Sequence, residues 1–191
     1  MKRVILAITG ASGMIYATRL FDYLQPRTEV QVILSERGAE VLQLEAGLTA
    51  TYFEKPNATV YRNSRMNVSI ASGSYKTDGM VVCPASMGTV GRIATGVSTS
   101  LVDRAADVVL KEKGKLIVVP RETPMSSIHL KNLLTLDQAS ALIMPANPGF
   151  YHDPKTVEDV ADFMVARILD HLEVEHRIQA PYEPPSKREP A

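Results

Sequence analysis

Short apolar runs alternate along the chain with longer segments in which apolar residues recur at a helical period. The runs are rich in β-branched residues and do not alternate with polar positions, which is typical of strands covered on both faces of a parallel sheet. Five such runs predict strands at residues 4–8, 30–34, 80–82, 116–119 and 141–144. A further short strand is expected near residues 59–61, inside an irregular stretch from residue 49 to residue 75.

Amphipathic stripes between these runs predict helices. One stripe begins at Ile15 and ends at Leu24, and similar stripes lie within residues 101–113 and 160–172. Strands that alternate with helices predict an α/β protein, in which a doubly wound, mostly parallel sheet of the Rossmann or flavodoxin-like type carries helices on both faces. The length of 191 residues fits one domain. We expect that domain to span residues 1–178, followed by a proline-rich tail at 179–191.

Composition removes several classes of function. Twenty-one basic residues balance twenty-one acidic ones, so the chain lacks the basic surface typical of proteins that bind nucleic acid or anionic membranes. Cys83 is the single cysteine, which excludes an intrachain disulfide and a zinc site built from cysteines. The four histidines suggest no metal site. The apolar run at residues 4–8 is shorter than a secretory signal needs, and no apolar stretch is long enough for a membrane span, so we expect a cytoplasmic protein.

Ligands of open parallel sheets gather at the carboxyl ends of the strands, so the loops there are the candidates for chemistry. The first such loop is residues 9–13, with the sequence TGASG. Its glycines allow the backbone to approach an anion, the following helix offers N–H groups, and Ser12 or Thr9 could add a hydroxyl. A plain helix cap is the alternative, and the pattern is not the GxGxxG of dinucleotide-binding proteins.

Two further loops carry small or hydroxylated residues. Ser35 directly follows the second strand, where we expect it to cap a helix, and it could also meet a ribose or ribityl hydroxyl. The third loop, residues 83–89, follows a buried strand and suits close approach of a flat ligand to backbone N–H groups. Cys83 has no basic neighbour in sequence that would lower its pKa, so we expect a core residue and not a nucleophile.

The fourth loop is the most informative, because Arg121 and Glu122 directly follow an apolar strand and are bracketed by prolines. A surface turn would explain both charges, but held at the end of a strand they are also suited to a phosphate clamp and a proton-transfer group. The fifth loop, residues 145–154, holds an aromatic pair at Phe150 and Tyr151, which we expect to plug the core.

Three cations lie on predicted helices. Arg104 and Lys111 are seven residues apart, and therefore share one helical face two turns apart. Together with Arg167 on the last helix they could meet an anion. A solvated or salt-bridged face is the alternative, and it is strong for Arg104, which has an aspartate on either side.

Seven motifs together resemble a known family. They are ITGASG at residues 8–13, SGSYKTDGMVVCPASMGT at 72–89, DRAADVVLKE at 103–112, VPRETP at 119–124, HLKNLL at 129–134, IMPANPGFYHDP at 143–154 and VARILDHL at 165–172. In this order they make the chain similar to the flavin prenyltransferases of the UbiX/Pad type over about residues 3–172.

The resemblance implies a metal-independent prenyltransferase that joins the dimethylallyl group of dimethylallyl monophosphate to N5 and C6 of reduced FMN. The product, prenylated FMN, would then serve a decarboxylase of the UbiD type. Family members assemble as trimers grouped into dodecamers, with the site at subunit contacts. The resemblance therefore also implies a homo-oligomer.

Residue by residue, the resemblance implies three sets of site residues. The FMN-binding set is Gly10, Ala11, Ser12, Ser35, Ser86, Met87, Gly88, Thr89 and Arg121. The set that binds the prenyl phosphate is Tyr151, Arg167, Lys111 and Arg104, the last two partly from another subunit. The catalytic set is Glu122, Ser12 and Tyr75. Tyr75 stands where members often have Phe or Trp, and it offers a π-face to a developing allylic cation.

Two other functions stay open at this stage. One is a flavin-dependent cysteine decarboxylase on the same scaffold, although the catalytic histidine and the Asn–Met motif of those enzymes have no counterpart here. The other is a subunit that stores or delivers flavin without catalysis. Glu122, Arg121 and Lys111 together argue against storage alone, because storage needs no proton relay.

Overall fold

The computed structural model describes residues 1–178, and the predicted tail at 179–191 lies outside the described residues. The strands of its sheet are β1 Lys2–Ile8, β2 Thr28–Leu34, β3 Ala58–Arg62, β4 Gly79–Ala85, β5 Leu116–Pro120 and β6 Leu142–Ile143. Neighbouring strands are parallel and lie in the order β3-β2-β1-β4-β5-β6. The predicted α/β fold with a doubly wound parallel sheet is confirmed.

Helices cover both faces of the sheet. They are α1 Met14–Leu24, α2 Glu36–Ala46, α3 Met87–Ala94, α4 Leu101–Lys111, α5 Ser127–Gln138 and α6 Val157–Leu172, with short 3₁₀ segments at Ala50–Phe53 and Ser69–Ala71. Alternate residues of β1 enter opposite cores: Leu6 packs with α1 and α6, whereas Ile5 packs with α3 and α4. Within residues 1–178, no helix is both long and apolar enough to cross a membrane.

The sequence patterns do not predict α3 or α5. Helix α3 spans eight residues and contains Gly88 and Gly91, which are poor helix formers, so its apolar stripe is too short to recognise. Helix α5 buries Leu133 and Leu136, but its other apolar residues stay exposed and do not extend that face. Tertiary contacts, and not a strong periodic pattern, therefore fix both helices.

The strand order creates one place for a ligand. Because β2 and β4 lie on opposite sides of β1, the chain leaves β1 and β4 in opposite directions and a crevice opens at their carboxyl ends. We call it the carboxyl-edge crevice. The loop at residues 9–13 follows β1 there, and Ser86 follows β4. Ser35 and Arg121 follow the flanking strands β2 and β5.

Candidate active site

One buried hydroxyl holds the loop after β1 to the end of β4. Thr9 Oγ1 donates to the carbonyl of Pro84 at 2.7 Å and accepts the backbone N–H of Ser86 at 2.8 Å. The Thr9 side chain is buried and both its hydrogen-bonding roles are used, so it offers nothing to a ligand. Ser12 is exposed, and it is the hydroxyl of this loop that faces solvent.

The backbone requires both glycines of this loop. A Cβ atom on Gly10 would lie 2.5 Å from Cβ of Arg37, so the loop passes close to α2 because residue 10 has no side chain. Gly13 has φ +107°, a conformation that residues with a side chain rarely adopt. Within residues 1–178, the N–H groups of Ala11 and Ser12 make no hydrogen bond, so two donors remain at the crevice.

Glu45, on the last turn of α2, is a site residue that the sequence analysis missed. Its Oε2 accepts the N–H groups of Gly13 at 2.9 Å and Met14 at 2.8 Å. Burial raises the pKa of Glu45, but hydrogen bonds from the Ser12 side chain and these N–H groups, with the charge of Arg121, outweigh it and lower the pKa overall. The N–H groups at the start of α1 therefore already bind a carboxylate of the protein, that of Glu45. A ligand phosphate could bind the N–H groups of Ala11 and Ser12.

Ser35 and Ser86 are both helix N-caps. Ser35 Oγ accepts the N–H of Gly38 at 3.0 Å, which confirms the expected cap of α2. Ser86 Oγ accepts the N–H of Thr89 at 3.4 Å and caps α3. Both serines remain partly exposed at the carboxyl-edge crevice, where capping and ligand binding are compatible because the hydroxyl oxygen accepts in the cap.

The expectation of a loop at residues 83–89 is wrong. Residues 83–85 complete β4, and residues 87–89 form the first turn of α3. The side chains of Met87 and Thr89 are buried, which leaves Ser86, Gly88 and the backbone at the surface. Cys83 is buried, and burial raises its pKa to about 12, which confirms a core cysteine that is a poor nucleophile.

Arg121 contacts the first loop, and Glu122 is its neighbour in sequence. Arg121 Nε donates to the carbonyl of Ser12 at 3.0 Å, and so joins the loops after β1 and β5. Glu122 Oε1 accepts the N–H of Thr123 at 3.1 Å. Among the described residues Glu122 has no cation within ion-pair distance, so no salt bridge accounts for its charge. The guanidinium that binds the first loop is thus followed in sequence by a carboxylate that forms no ion pair within residues 1–178.

Tyr75, Arg104 and Lys111 form a second group, which we call the α4 seam. Arg104 Nε donates to the carbonyl of Ala71 at 3.2 Å, and its Nη1 pairs with Asp107 at 3.0 Å. In a single chain Arg104 is therefore part of a salt-bridged helical face, which was the alternative to anion binding. Lys111 Nζ pairs with Glu112 at 2.5 Å.

Tyr75 lies at the amino edge of the sheet. Its ring packs under Arg3, with 4.4 Å from Cζ to the ring centroid, and its hydroxyl donates to Glu29 at 3.4 Å. Lys111 also ends near this edge, because β5 begins four residues beyond the C-cap of α4, at Leu116. The length of a strand, roughly 20 Å, separates both side chains from Ser12. Within one chain the structure does not bring Tyr75 and Lys111 to the crevice.

Tyr151 and Arg167 form a third group beside α6. Tyr151 packs edge-on against Phe163, with 5.7 Å between ring centroids, and Arg167 pairs with Asp170 at 3.1 Å. Phe163 and Arg167 both line a cavity of about 280 Å³ at the end of β6. Phe150 and Tyr151 are 66% and 63% exposed, so the expectation that this pair plugs the core is wrong.

Comparison with known proteins identifies the family. The model of the Flavoprotein family matches residues 1–169 of this chain. The flavin prenyltransferase UbiX of Methanocaldococcus jannaschii is 42% identical over 176 residues, which cover 92% of this chain and 96% of that relative. This chain belongs to the UbiX flavin prenyltransferase family.

Solved structures of UbiX-like proteins share this fold over nearly their whole length. The dodecameric FMN-dependent UbiX-like decarboxylase from Escherichia coli O157:H7 is 37% identical with a TM-score of 0.91, covering 95% of this chain and 100% of that one. AnUbiX (PadA1), solved in complex with FMN and dimethylallyl pyrophosphate, is 33% identical with a TM-score of 0.89, covering 95% and 99%. The family resemblance seen in the motifs is confirmed. These relatives favour neither the cysteine decarboxylase nor the flavin-storage alternative.

Proposed function

We propose that the protein is a flavin prenyltransferase, which transfers a dimethylallyl group from a dimethylallyl phosphate to N5 and C6 of reduced FMN. The observation that carries the proposal is the contact between Arg121 and the Ser12 carbonyl. It brings a guanidinium to a loop whose Ala11 and Ser12 N–H groups make no hydrogen bond within residues 1–178. Membership of the UbiX family supports the same reaction.

FMN fits the carboxyl-edge crevice. The N–H groups of Ala11 and Ser12 and the hydroxyls of Ser35 and Ser86 supply donors for phosphate, ribityl and ring oxygens. Arg121 adds a positive charge. The close passage of Gly10 past α2 keeps this surface free of side-chain bulk, so the backbone can lie against a flat ring.

The chemistry requires charge stabilisation and proton transfer. When the bond between the allylic carbon and the phosphate oxygen breaks, negative charge leaves on the phosphate, where Arg121 and the other site cations stabilise it. The new bond at N5 releases a proton. The later bond at C6 requires a proton to add to the double bond of the prenyl group, which makes the carbon that C6 attacks electrophilic, and C6 then releases its own proton. Glu122 is the group that we propose takes the proton from N5, because its carboxylate is partly exposed, directly follows Arg121 in the chain and forms no ion pair within residues 1–178.

A neighbouring copy of the chain completes the site in this proposal. Tyr75 and Lys111 lie about one strand length from Ser12 in their own chain, but their side chains sit at the surface of the α4 seam, where a second copy can reach them. A related structure is dodecameric, and we propose a trimer-based homododecamer here. Arg104 and Lys111 would then either leave Asp107 and Glu112 or bind these carboxylates and the substrate phosphate at the same time.

The prenyl phosphate is assigned to the third group. Tyr151 and Arg167 flank Phe163 at the carboxyl end of β6, on the same edge of the sheet as Arg121. The pairing of Arg167 with Asp170 leaves part of the guanidinium exposed, since 53% of its side chain is accessible. We propose dimethylallyl monophosphate as the donor, although the related AnUbiX structure holds the diphosphate. The product would serve a UbiD-type decarboxylase, and we expect the protein to act in the cytoplasm.

Mass spectrometry tests the proposed reaction directly. The protein is incubated without oxygen with reduced FMN and either dimethylallyl monophosphate or the diphosphate, and the flavin is then extracted. A flavin heavier by one five-carbon prenyl unit supports the proposal, and the better donor is the one consumed faster. Unchanged flavin together with oxidative decarboxylation of a peptide carboxyl-terminal cysteine would instead establish the cysteine decarboxylase alternative. Unchanged flavin that remains bound would establish flavin storage.

A further inference from the structure

A hydrogen-bonded chain runs from the buried Asp103 to the cap of α3. Asp103, in the first turn of α4, is fully buried, and its Oδ2 accepts from Arg92 Nε at 2.9 Å, Ser100 Oγ at 2.9 Å and Thr99 Oγ1 at 3.2 Å. The other end of the Arg92 guanidinium donates through Nη2 to Thr89 Oγ1 at 3.1 Å. Thr89 Oγ1 lies 3.1 Å from Ser86 Oγ at the carboxyl-edge crevice.

Arg92 determines which group donates and which accepts in each hydrogen bond of this network. A guanidinium can donate but cannot accept, so Thr89 Oγ1 must accept from Arg92. The Thr89 hydroxyl is buried, and within residues 1–178 Ser86 Oγ is the acceptor within reach of its own hydrogen. Ser86 Oγ therefore accepts twice, from the Thr89 hydroxyl and from the Thr89 N–H. The hydrogen of the Ser86 hydroxyl can therefore be donated only to a group in the carboxyl-edge crevice.

The ion pair of Asp103 with Arg92 is weak evidence for stabilisation alone. The Asp103 side chain is fully buried, whereas 38% of the Arg92 side chain is exposed, so a partly solvated guanidinium offsets only part of the cost of burying the carboxylate. All three contacts to Asp103 converge on Oδ2, while Oδ1 has no partner in the described part of the chain. The Asp103 carboxylate thus binds Arg92 and the residues at the start of α4 through one oxygen, and its other oxygen accepts no hydrogen bond within residues 1–178.

We propose that Asp103 and Arg92 are positioning residues that make the Ser86 hydroxyl an obligate hydrogen-bond donor to an acceptor oxygen of the bound flavin. This inference rests on the proposed binding of FMN at the crevice. Without Arg92, the Thr89 and Ser86 hydroxyls can reverse, and Ser86 can then present a lone pair to the ligand oxygen. The acceptor is either a phosphate oxygen or an oxygen of the ribityl chain or ring, which share the same chemistry.

The test is a double-mutant cycle on FMN affinity. Arg92→Met is combined with Asp103→Asn, so that no unpaired charge is buried and the asparagine oxygen can still accept from Ser100. We expect this pair of changes to weaken FMN binding about tenfold, the effect of losing one oriented hydrogen bond to a ligand. In the Ser86→Ala background the same pair should change the affinity less than about twofold, because the network then has no hydroxyl to orient.

Riboflavin and a distant ion pair complete the experiment. If the acceptor is a phosphate oxygen, the tenfold loss appears with FMN and disappears with riboflavin; if it is a ribityl or ring oxygen, the loss appears with both. The matched control is Arg19→Met with Asp162→Asn, which removes a bidentate pair between α1 and α6 and should leave FMN affinity unchanged.

Equal losses in the two Ser86 backgrounds, or no loss in either, would overturn the inference. The readout is flavin affinity and not turnover. A wild-type protein that binds FMN without prenylating it would therefore refute the proposed reaction and leave the result of this cycle standing.

Discussion

Replacing Glu122 with glutamine separates proton transfer from every other role of this residue. Glu122 makes one hydrogen bond through its carboxylate, from the N–H of Thr123 at 3.1 Å, and a glutamine oxygen can accept the same bond. It pairs with no cation among residues 1–178, so no ion pair is lost. The change in unfolding free energy should therefore stay within about 0.5 kcal/mol, as for surface substitutions that remove no special contact.

The rate should respond very differently. General acid–base groups contribute about 10²–10⁴-fold, so Glu122→Gln should slow formation of the prenylated flavin by that factor. FMN affinity should stay near wild type, because the contact of Arg121 with Ser12 does not involve Glu122. Single-turnover kinetics with saturating reduced FMN measure the step, and thermal unfolding measures stability. An unslowed step would remove Glu122 from the mechanism, and a joint fall in stability and FMN affinity at normal rate would assign it a structural role.

Three further predictions concern the crevice and its neighbours. Ser12→Asp places a second carboxylate beside Glu45 and the ligand phosphate, so FMN affinity measured by flavin fluorescence should fall at least about tenfold; an unchanged affinity would refute the loop assignment. The pKa of Glu45 is lowered on folding, so its contribution to stability is present at neutral pH and is lost as the pH falls below about 4.5. The difference in Tm between wild type and Glu45→Gln should therefore shrink in acid, and a difference that is constant with pH would contradict this. Co-assembly of Ser12→Asp chains with Lys111→Ala chains should restore about one quarter of the sites if two copies build each site, and none if one chain does.

The fold was largely predictable because its strands carry a strong local signal. Buried parallel strands are encoded by continuous apolar runs in the sequence. The edge strand β3 was predicted from a short segment of β-branched and aromatic residues within an irregular region. Residues at strand ends, such as Ser35 and Arg121, were found because the parallel topology alone places them at one edge. These inferences need no knowledge of how helices pack.

Features that depend on how the helices and loops pack together could not be predicted from the sequence. Glu45 lies on the last turn of α2, and it accepts hydrogen bonds from the N–H groups of Gly13 and Met14 because α2 packs beside the start of α1. The identity of the buried partner of Arg92 also depends on how α3 meets α4. Motif resemblance named Tyr75 and Lys111, but the distance of these residues from Ser12 emerges when the chain is folded.

The double role of Thr9 has a consequence for which substitutions the protein can tolerate. Valine has almost the same shape as threonine, yet it would leave the Pro84 carbonyl without its side-chain donor and the Ser86 N–H without its acceptor. Serine would keep both bonds and lose one methyl group from a buried position. The N–H of Ser86 is consequently a natural reporter: its hydrogen-exchange rate measures how often the loop at residues 9–13 separates from β4. Ligands that bridge the two loops should slow that exchange without touching the amide itself.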